Sequence, residues 1–197
     1  MRIYVASSWR NERRHQAVVG VLRHDGHDVY DFRNPKPGDE GFSWWQCARQ
    51  EQLEDPVRFR DEVLTHPVAR AGFESDMGAL RAADCTILVL PCGRSAHLEL
   101  GYAVGARQLT AVLLDEPLSK PELMYLMVDR ICTTMGEVTR FIEGSEAAYE
   151  ATACAGCGRR GTTHEGRIPS GLVALHWRVN NAWVCIECAH KRGLVSL

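Results

Sequence analysis

Cys85-Thr86-Ile87-Leu88-Val89-Leu90 is the most apolar continuous run in the chain. A segment so short and so uniformly apolar has no face to give to water, so it reads as a central strand of a parallel sheet, covered on both sides. That strand constrains everything around it, because a parallel neighbour can be reached only through a long crossover, usually a helix. The flanking sequence supplies such crossovers, since residues 69–83 and 96–106 are helical in pattern.

The same alternation runs through residues 1–150. Arg2–Ala6 is strand-like, and a helix follows to His24 with its apolar stripe at Ala17, Val18, Val21 and Leu22. The turn Asp25-Gly26-His27 leads into a second short strand at 28–32. Residues 34–45, with two prolines and two glycines, form a long loop of the kind that carries function, and two weaker helical stretches follow at 44–53 and 56–65. Strands at 109–114 and 130–133, a short helix within 117–127 and a closing helix at Met135–Glu150 complete the pattern. The fold expected is α/β, a doubly wound (flavodoxin- or Rossmann-like) parallel sheet with helices on both faces. Ligands of such sheets bind outside the carboxyl ends of the strands, which singles out loops 7–11, 33–45 and 91–98. The first of these contains no glycine, which argues against a redox dinucleotide fingerprint.

Residues 151–197 are chemically different. They hold 6 Lys/Arg against 2 Asp/Glu, whereas residues 1–150 hold 17 against 23. They also contain two C-x-x-C pairs, Cys154/Cys157 and Cys185/Cys188, separated by 27 residues, with strand-like segments at 172–177 and 182–184 between or beside them. Four thiolates are what tetrahedral Zn²⁺ prefers, and a closed Cys₄ site serves folding rather than catalysis. A structural zinc ribbon is therefore expected as a second module; a redox dithiol or a pair of disulfides is the alternative. Cys47, Cys85, Cys92 and Cys132 are scattered and read as small buried apolar residues. The basic ribbon leaves open a nucleic-acid or protein partner.

No apolar run is long enough to span a bilayer, and the N-terminus enters a strand at once, so neither a membrane partner nor a signal peptide is expected and the location expected is cytoplasmic.

The candidate chemistry lies in Gly93-Arg94-Ser95-Ala96-His97-Leu98-Glu99-Leu100-Gly101-Tyr102-Ala103. Here a carboxylate stands in the first turns of the helix after the central strand, between apolar neighbours. Two readings are open. Glu99 either complements the helix dipole, or is desolvated yet ionised and attacks an anomeric carbon, as in retaining glycosidases.

Leu98-Glu99-Leu100-Gly101-Tyr102-Ala103 resembles the nucleophile motif of the nucleoside 2-deoxyribosyltransferase family, which includes nucleotide N-glycosidases. Ile3-Tyr4-Val5 with Trp9 resembles that family's first strand and loop, Asp76 in Ser75-Asp76-Met77-Gly78 its base-contacting Asp, and Lys120-Pro121-Glu122-Leu123-Met124 the segment that reaches a neighbouring subunit's pocket. The resemblance covers residues 1–140 and implies N-glycosidic bond cleavage or transfer. Glu99 would be the nucleophile, Tyr4 would hold it, Asp76 would serve the departing base, and the chain would form a homo-oligomer. Asp84, close to Asp76, reads as structural.

The chain also departs from the family. Gly93 stands where deoxyribosyltransferases carry an acidic sugar contact, and Glu122 where they carry Asn. Arg94, Ser95 and His97, with Ser7, Ser8 and Arg10 from the first loop, suit a phosphate better than a sugar hydroxyl. That shifts the expectation toward a nucleoside 5′-phosphate. An NAD-cleaving glycosidase would use the same Glu99, and a non-catalytic nucleotide sensor would need none.

Overall fold

The computed structural model describes residues 1–117, 121–150, 161–162, 173–179 and 182–191. Its elements run β1 (Arg2–Ala6), α1 (Glu12–His24), β2 (Asp28–Tyr30), α2 (Gln50–Glu54), α3 (Pro56–Arg58), α4 (Pro67–Ala82), β3 (Cys85–Val89), α5 (Arg94–Gly105), β4 (Leu109–Leu113), β5 (Arg130–Cys132) and α6 (Met135–Glu150). Short 3₁₀ turns occupy Trp44–Gln46 and Leu123–Met127. The stretch expected as a single helix at 56–65 is instead α3 followed by a π-type turn, Phe59–Val63. Only Val63 is buried there, so there is no apolar stripe to hold a longer regular helix to the core.

Five parallel strands form one sheet in the order β2-β1-β3-β4-β5. This is the expected doubly wound α/β architecture. The chain reverses its winding between β1 and β3, so the crevice at their carboxyl ends is the topological switch point, where ligands of such sheets sit. β3 is central and buried at every position, which is why its sequence shows no polar alternation.

Strand alternation sends side chains to two cores. Ile3, Val5, Ile87, Val89 and Leu113 pack beneath α1 and α6, with Val18, Val19, Leu22, Val138 and Ile142 opposite them. Tyr4, Ala6, Leu88 and Val112 face the other way, toward Leu80 of α4 and Ala96, Leu100 and Ala103 of α5. Each fully buried Leu, Ile or Val stabilises by roughly 1.5–3 kcal/mol, so the two cores supply most of the driving force. Cys85 and Cys132 are buried in the first core, and neither they nor Cys47 and Cys92 form a disulfide.

Polar groups close the sheet's amino edge. Asp84 accepts from the Arg2 backbone N–H at 2.8 Å and pairs with its guanidinium at 3.2 Å, the structural role expected of it. Buried Gln108 accepts from Thr86 Oγ1 at 2.9 Å and donates to the Leu80 carbonyl at 2.5 Å, tying α4 to β3 and β4.

In the C-terminal region β6 (Gly161–Thr162), β7 (Val173–Val179) and β8 (Ala182–Cys185) form a three-stranded sheet that runs into α7 (Ile186–Lys191). β7 and β8 are antiparallel. Among the described residues no helix is long and apolar enough to cross a membrane.

Candidate active site

Tyr4 is the second-core residue nearest the middle of β1, with its side chain 1% exposed. The alternation that puts Ile3 and Val5 under α1 aims Tyr4 at α4 and α5, the helices that carry Asp76 and Glu99. Three residues far apart in sequence thus converge on one face of the sheet. Tyr4 Oη has no partner of full hydrogen-bond geometry, yet it lies close enough to Glu99 to favour its charged form in part.

Glu99 sits in the second turn of α5, and the first turn holds no acidic residue. It lies beyond the four unpaired N–H groups of the helix start, so dipole complementation is not what the position provides. Glu99 borders the buried stripe of Ala96, Leu100 and Ala103 and is itself partly buried. Burial, then the charge of Asp76, push its pKa up to about 7, and the Tyr4 hydroxyl opposes them in part. The sequence led to the expectation of a desolvated carboxylate that stays ionised; the shift places its titration close to neutral pH. The physical reason is a second carboxyl across the cleft and no described cation paired with it.

That second carboxyl, Asp76, is also raised by burial, with a hydrogen bond from Tyr30 working against the rise. Tyr30 Oη donates to Asp76 Oδ1 at 2.8 Å and shares a 3.0 Å contact with Ser75 Oγ. Its ring stacks on that of Tyr4, with centroids 5.4 Å apart and planes at 16°. Tyr30 joins this group, and sequence reasoning did not single it out. The available signal was its place as the last residue of β2, at the carboxyl edge next to β1. A cavity of about 330 Å³ opens beside this group, lined among others by Tyr30, Phe42, Gln46, Ser75 and Asp76.

The first-loop candidates have local partners. Ser7 Oγ donates to the Val89 carbonyl at 2.9 Å and accepts from Asn11 Nδ2 at 3.2 Å, which ties the ends of β1 and β3 together. Its one proton is therefore already used. Ser8 Oγ accepts from the Arg10 N–H at 3.2 Å, and the Arg10 side chain is exposed. Trp9 is 47% exposed and meets Phe32 edge-on.

Gly93, Arg94 and Ser95 form the exposed start of α5, and no side chain caps it. Its unpaired N–H groups together with Arg94 are the chemistry an anion needs. His97 enters a hydrogen-bonded chain: Nδ1 lies 3.0 Å from the Gly93 carbonyl and 3.5 Å from Cys92 Sγ, and Nε2 lies 3.0 Å from Tyr125 Oη. The His97 and Tyr125 rings stack at 5.9 Å. Burial, then the charge of Glu99, push the Cys92 thiol up to about 12, so it is not a thiolate. These residues border a larger cavity, about 940 Å³, with Met124 on its rim. Met124 is 54% exposed, and its N–H is held by Glu122 Oε1 at 2.9 Å, so Glu122 caps its own short turn. The structure therefore brings Tyr4, Asp76 and Glu99 together and places Gly93, Arg94, His97 and Met124 at a separate cavity.

Cys185 and Cys188 are both buried where β8 passes into α7, the strand-to-helix placement of a C-x-x-C knuckle. Cys154 and Cys157, as well as Lys120, lie outside the described residues. Among the described residues there is no group of three or more metal-binding side chains.

No model of a known protein family matches the chain, and no curated protein matches it. Among solved structures it is similar to the CMP N-glycosidase BcmB of Clostridium botulinum, with 16% identity, a TM-score of 0.41, and coverage of 73% of this chain and 99% of that one.

Proposed function

We propose that the chain breaks the N-glycosidic bond of a nucleoside or nucleoside 5′-phosphate, with Glu99 as nucleophile. The observation that carries this reading is the pair of half-buried carboxyls, Glu99 and Asp76, each raised by its partial burial, on the tyrosine-lined face of the sheet beside its switch point. Because the charge of Asp76 raises Glu99, the two carboxyls titrate as a coupled pair, and the form with its proton on Asp76 and its charge on Glu99 provides an acid and a nucleophile at once.

In the first step an ionised Glu99 oxygen attacks C1′. The C1′–N bond breaks, its electron pair goes to the base, and protonated Asp76 supplies the proton that neutralises the base. Tyr4 stabilises the attacking carboxylate, and Tyr30 orients Asp76. The sugar is left as an ester on Glu99. In the second step water, or a second base, attacks C1′, gives its proton to Asp76 and releases Glu99. Hydrolysis is the expected outcome where water has access.

The exposed N-terminus of α5, with Arg94 and Ser95, has the chemistry for a 5′-phosphate, which would reach from the Asp76 side to the cavity that Arg94 lines. The homo-oligomer belongs to the same reading, supported by the exposed apolar side chains of Leu98, Leu123, Met124 and Leu126. The two buried cysteines of the C-terminal knuckle support a structural zinc held by Cys154, Cys157, Cys185 and Cys188. A nucleic-acid or protein partner for the ribbon rests on charge alone.

The test is incubation with a panel of nucleosides, 5′-nucleotides and NAD, with free base detected by chromatography. Base release from a 5′-nucleotide that disappears in Glu99→Ala supports the reading. NAD as sole substrate would make the chain an NAD glycosidase, and no release from any member would favour a nucleotide sensor.

A further inference from the structure

Behind Trp9 lies a buried polar cluster that the proposed chemistry does not use. Asp31, 1% exposed, follows β2 and accepts from Gln16 Nε2 at 2.9 Å, from Asn34 Nδ2 at 3.0 Å and from the Arg33 backbone N–H at 2.9 Å. Burial opposes its charge, but these donors outweigh burial and hold it below the usual carboxylate range. The start of the 33–45 loop is thereby fixed, and Arg33 is aimed back at the first loop.

The Arg33 side chain is almost fully enclosed. Its Nη2 donates to the carbonyls of Ser8, at 3.4 Å, and Trp9, and its guanidinium carbon lies 4.7 Å from the Trp9 ring centroid. Phe32 meets the same ring at 5.1 Å and 74°. Gly41, at φ +74°, closes a third side; a Cβ there would lie 3.0 Å from Trp9 Cη2 and overlap the Phe32 carbonyl. Even so, Trp9 remains 47% exposed. A large aromatic clamped on three sides and open on the fourth is built as a surface, not as core packing.

We propose that Arg33 is a positioning residue: through the Ser8 and Trp9 carbonyls and its contact with the indole, it locks Trp9 as a preformed wall of the substrate pocket. The wall assignment rests on the reading given under the proposed function; the locking does not. A fixed ring has no rotamer freedom left to lose when a base stacks on it, so the gain falls on binding rather than on the chemical step. Glu12, the nearest acidic side chain at 3.8 Å, is exposed and does not account for the burial of the guanidinium.

The experiment labels the protein with 5-fluorotryptophan and assigns the Trp9 fluorine resonance with Trp9→Phe. Arg33→Gln removes the charge; Arg33→Lys keeps it but loses the planar fork, and so covers the case where Gln does not fold. The result expected in both is a Trp9 resonance that moves toward the free-indole position while the other four tryptophan signals stay in place. An unmoved Trp9 resonance in Arg33→Lys would overturn the proposal. In base-release kinetics KM should rise roughly fivefold to tenfold, the cost of ordering one freed side chain on binding, with kcat little changed. A fall in kcat at constant KM would instead overturn the wall assignment. Failure of the wild type to release any base would remove the pocket reading, while the fluorine spectrum would still decide whether Arg33 holds Trp9.

Discussion

Tyr30 Oη donates to Asp76 Oδ1 over 2.8 Å, and this bond sets how readily Asp76 gives up its proton. The bond favours the charged carboxylate, so it pulls the Asp76 pKa down against the rise caused by burial. Tyr30→Phe removes that pull. If Asp76 is the acid, the alkaline limb of the pH–rate profile shifts to higher pH, by about half a unit to one unit for one hydrogen bond. Measuring kcat/KM from pH 5 to 10 in wild type and variant checks this, and a limb that stays in place would take Asp76 out of the acid role.

Tyr4 acts on the other limb. The wild-type profile should be bell-shaped, its acid limb set by ionisation of Glu99 near pH 7. Because the Tyr4 hydroxyl lowers the Glu99 pKa, Tyr4→Phe should move the acid limb upward, so that activity at pH 6 falls more than activity at pH 8. An equal loss at both values would mean that Tyr4 serves packing alone.

Glu99 also ties activity to stability. Its folded-state pKa, about 7, stands above the ordinary 4.5, so the folded protein favours the protonated form. The corresponding stability is fully present below about pH 4.5 and is lost as pH rises through 7. Glu99→Gln, neutral at every pH, should therefore melt higher than wild type at pH 8 and show little difference at pH 4.5. At 1.36 kcal/mol per pKa unit the gain is at most about 3 kcal/mol, and the partial exposure of Glu99 reduces it. Thermal unfolding of both proteins at the two pH values measures it; a variant less stable than wild type at pH 8 contradicts the burial of the charge.

How much of this could be read from the chain depends on the range of the interaction. β3 was legible because a strand buried on both faces must be apolar throughout, and the crossovers follow from its being parallel. Tyr4, Asp76 and Glu99 were named from local motifs, and the fold explains their meeting through strand alternation and two helices on one face. Tyr30 was not legible, because its role arises from pairing β2 beside β1, a contact between strands with no local signature. Arg33 was hidden for the same reason: its partners, the Ser8 and Trp9 carbonyls, are backbone atoms 24 and 25 residues away. The upward shift of the Glu99 pKa was not legible, because its second cause, the charge of Asp76 on α4, has no local signature in the sequence.

The C-terminal module makes an independent prediction. Elemental analysis should find close to one zinc per chain, and a strong chelator should unfold the ribbon. The α/β unit that carries Glu99 has its own two cores, so base release should survive chelation if the ribbon serves only its own folding. Cys185→Ser should lose the metal in the same way. A chain purified without zinc in metal-replete medium would exclude the assignment.

The central claim is a covalent bond between Glu99 and the sugar. A 2′-fluoro-arabino nucleoside 5′-phosphate slows breakdown of such an ester, so mass spectrometry of the digested protein can locate it. The account predicts a stoichiometric sugar-phosphate adduct on the peptide bearing Glu99, and none in Glu99→Gln. An adduct mapped to another residue, or undiminished base release by Glu99→Gln, would contradict it.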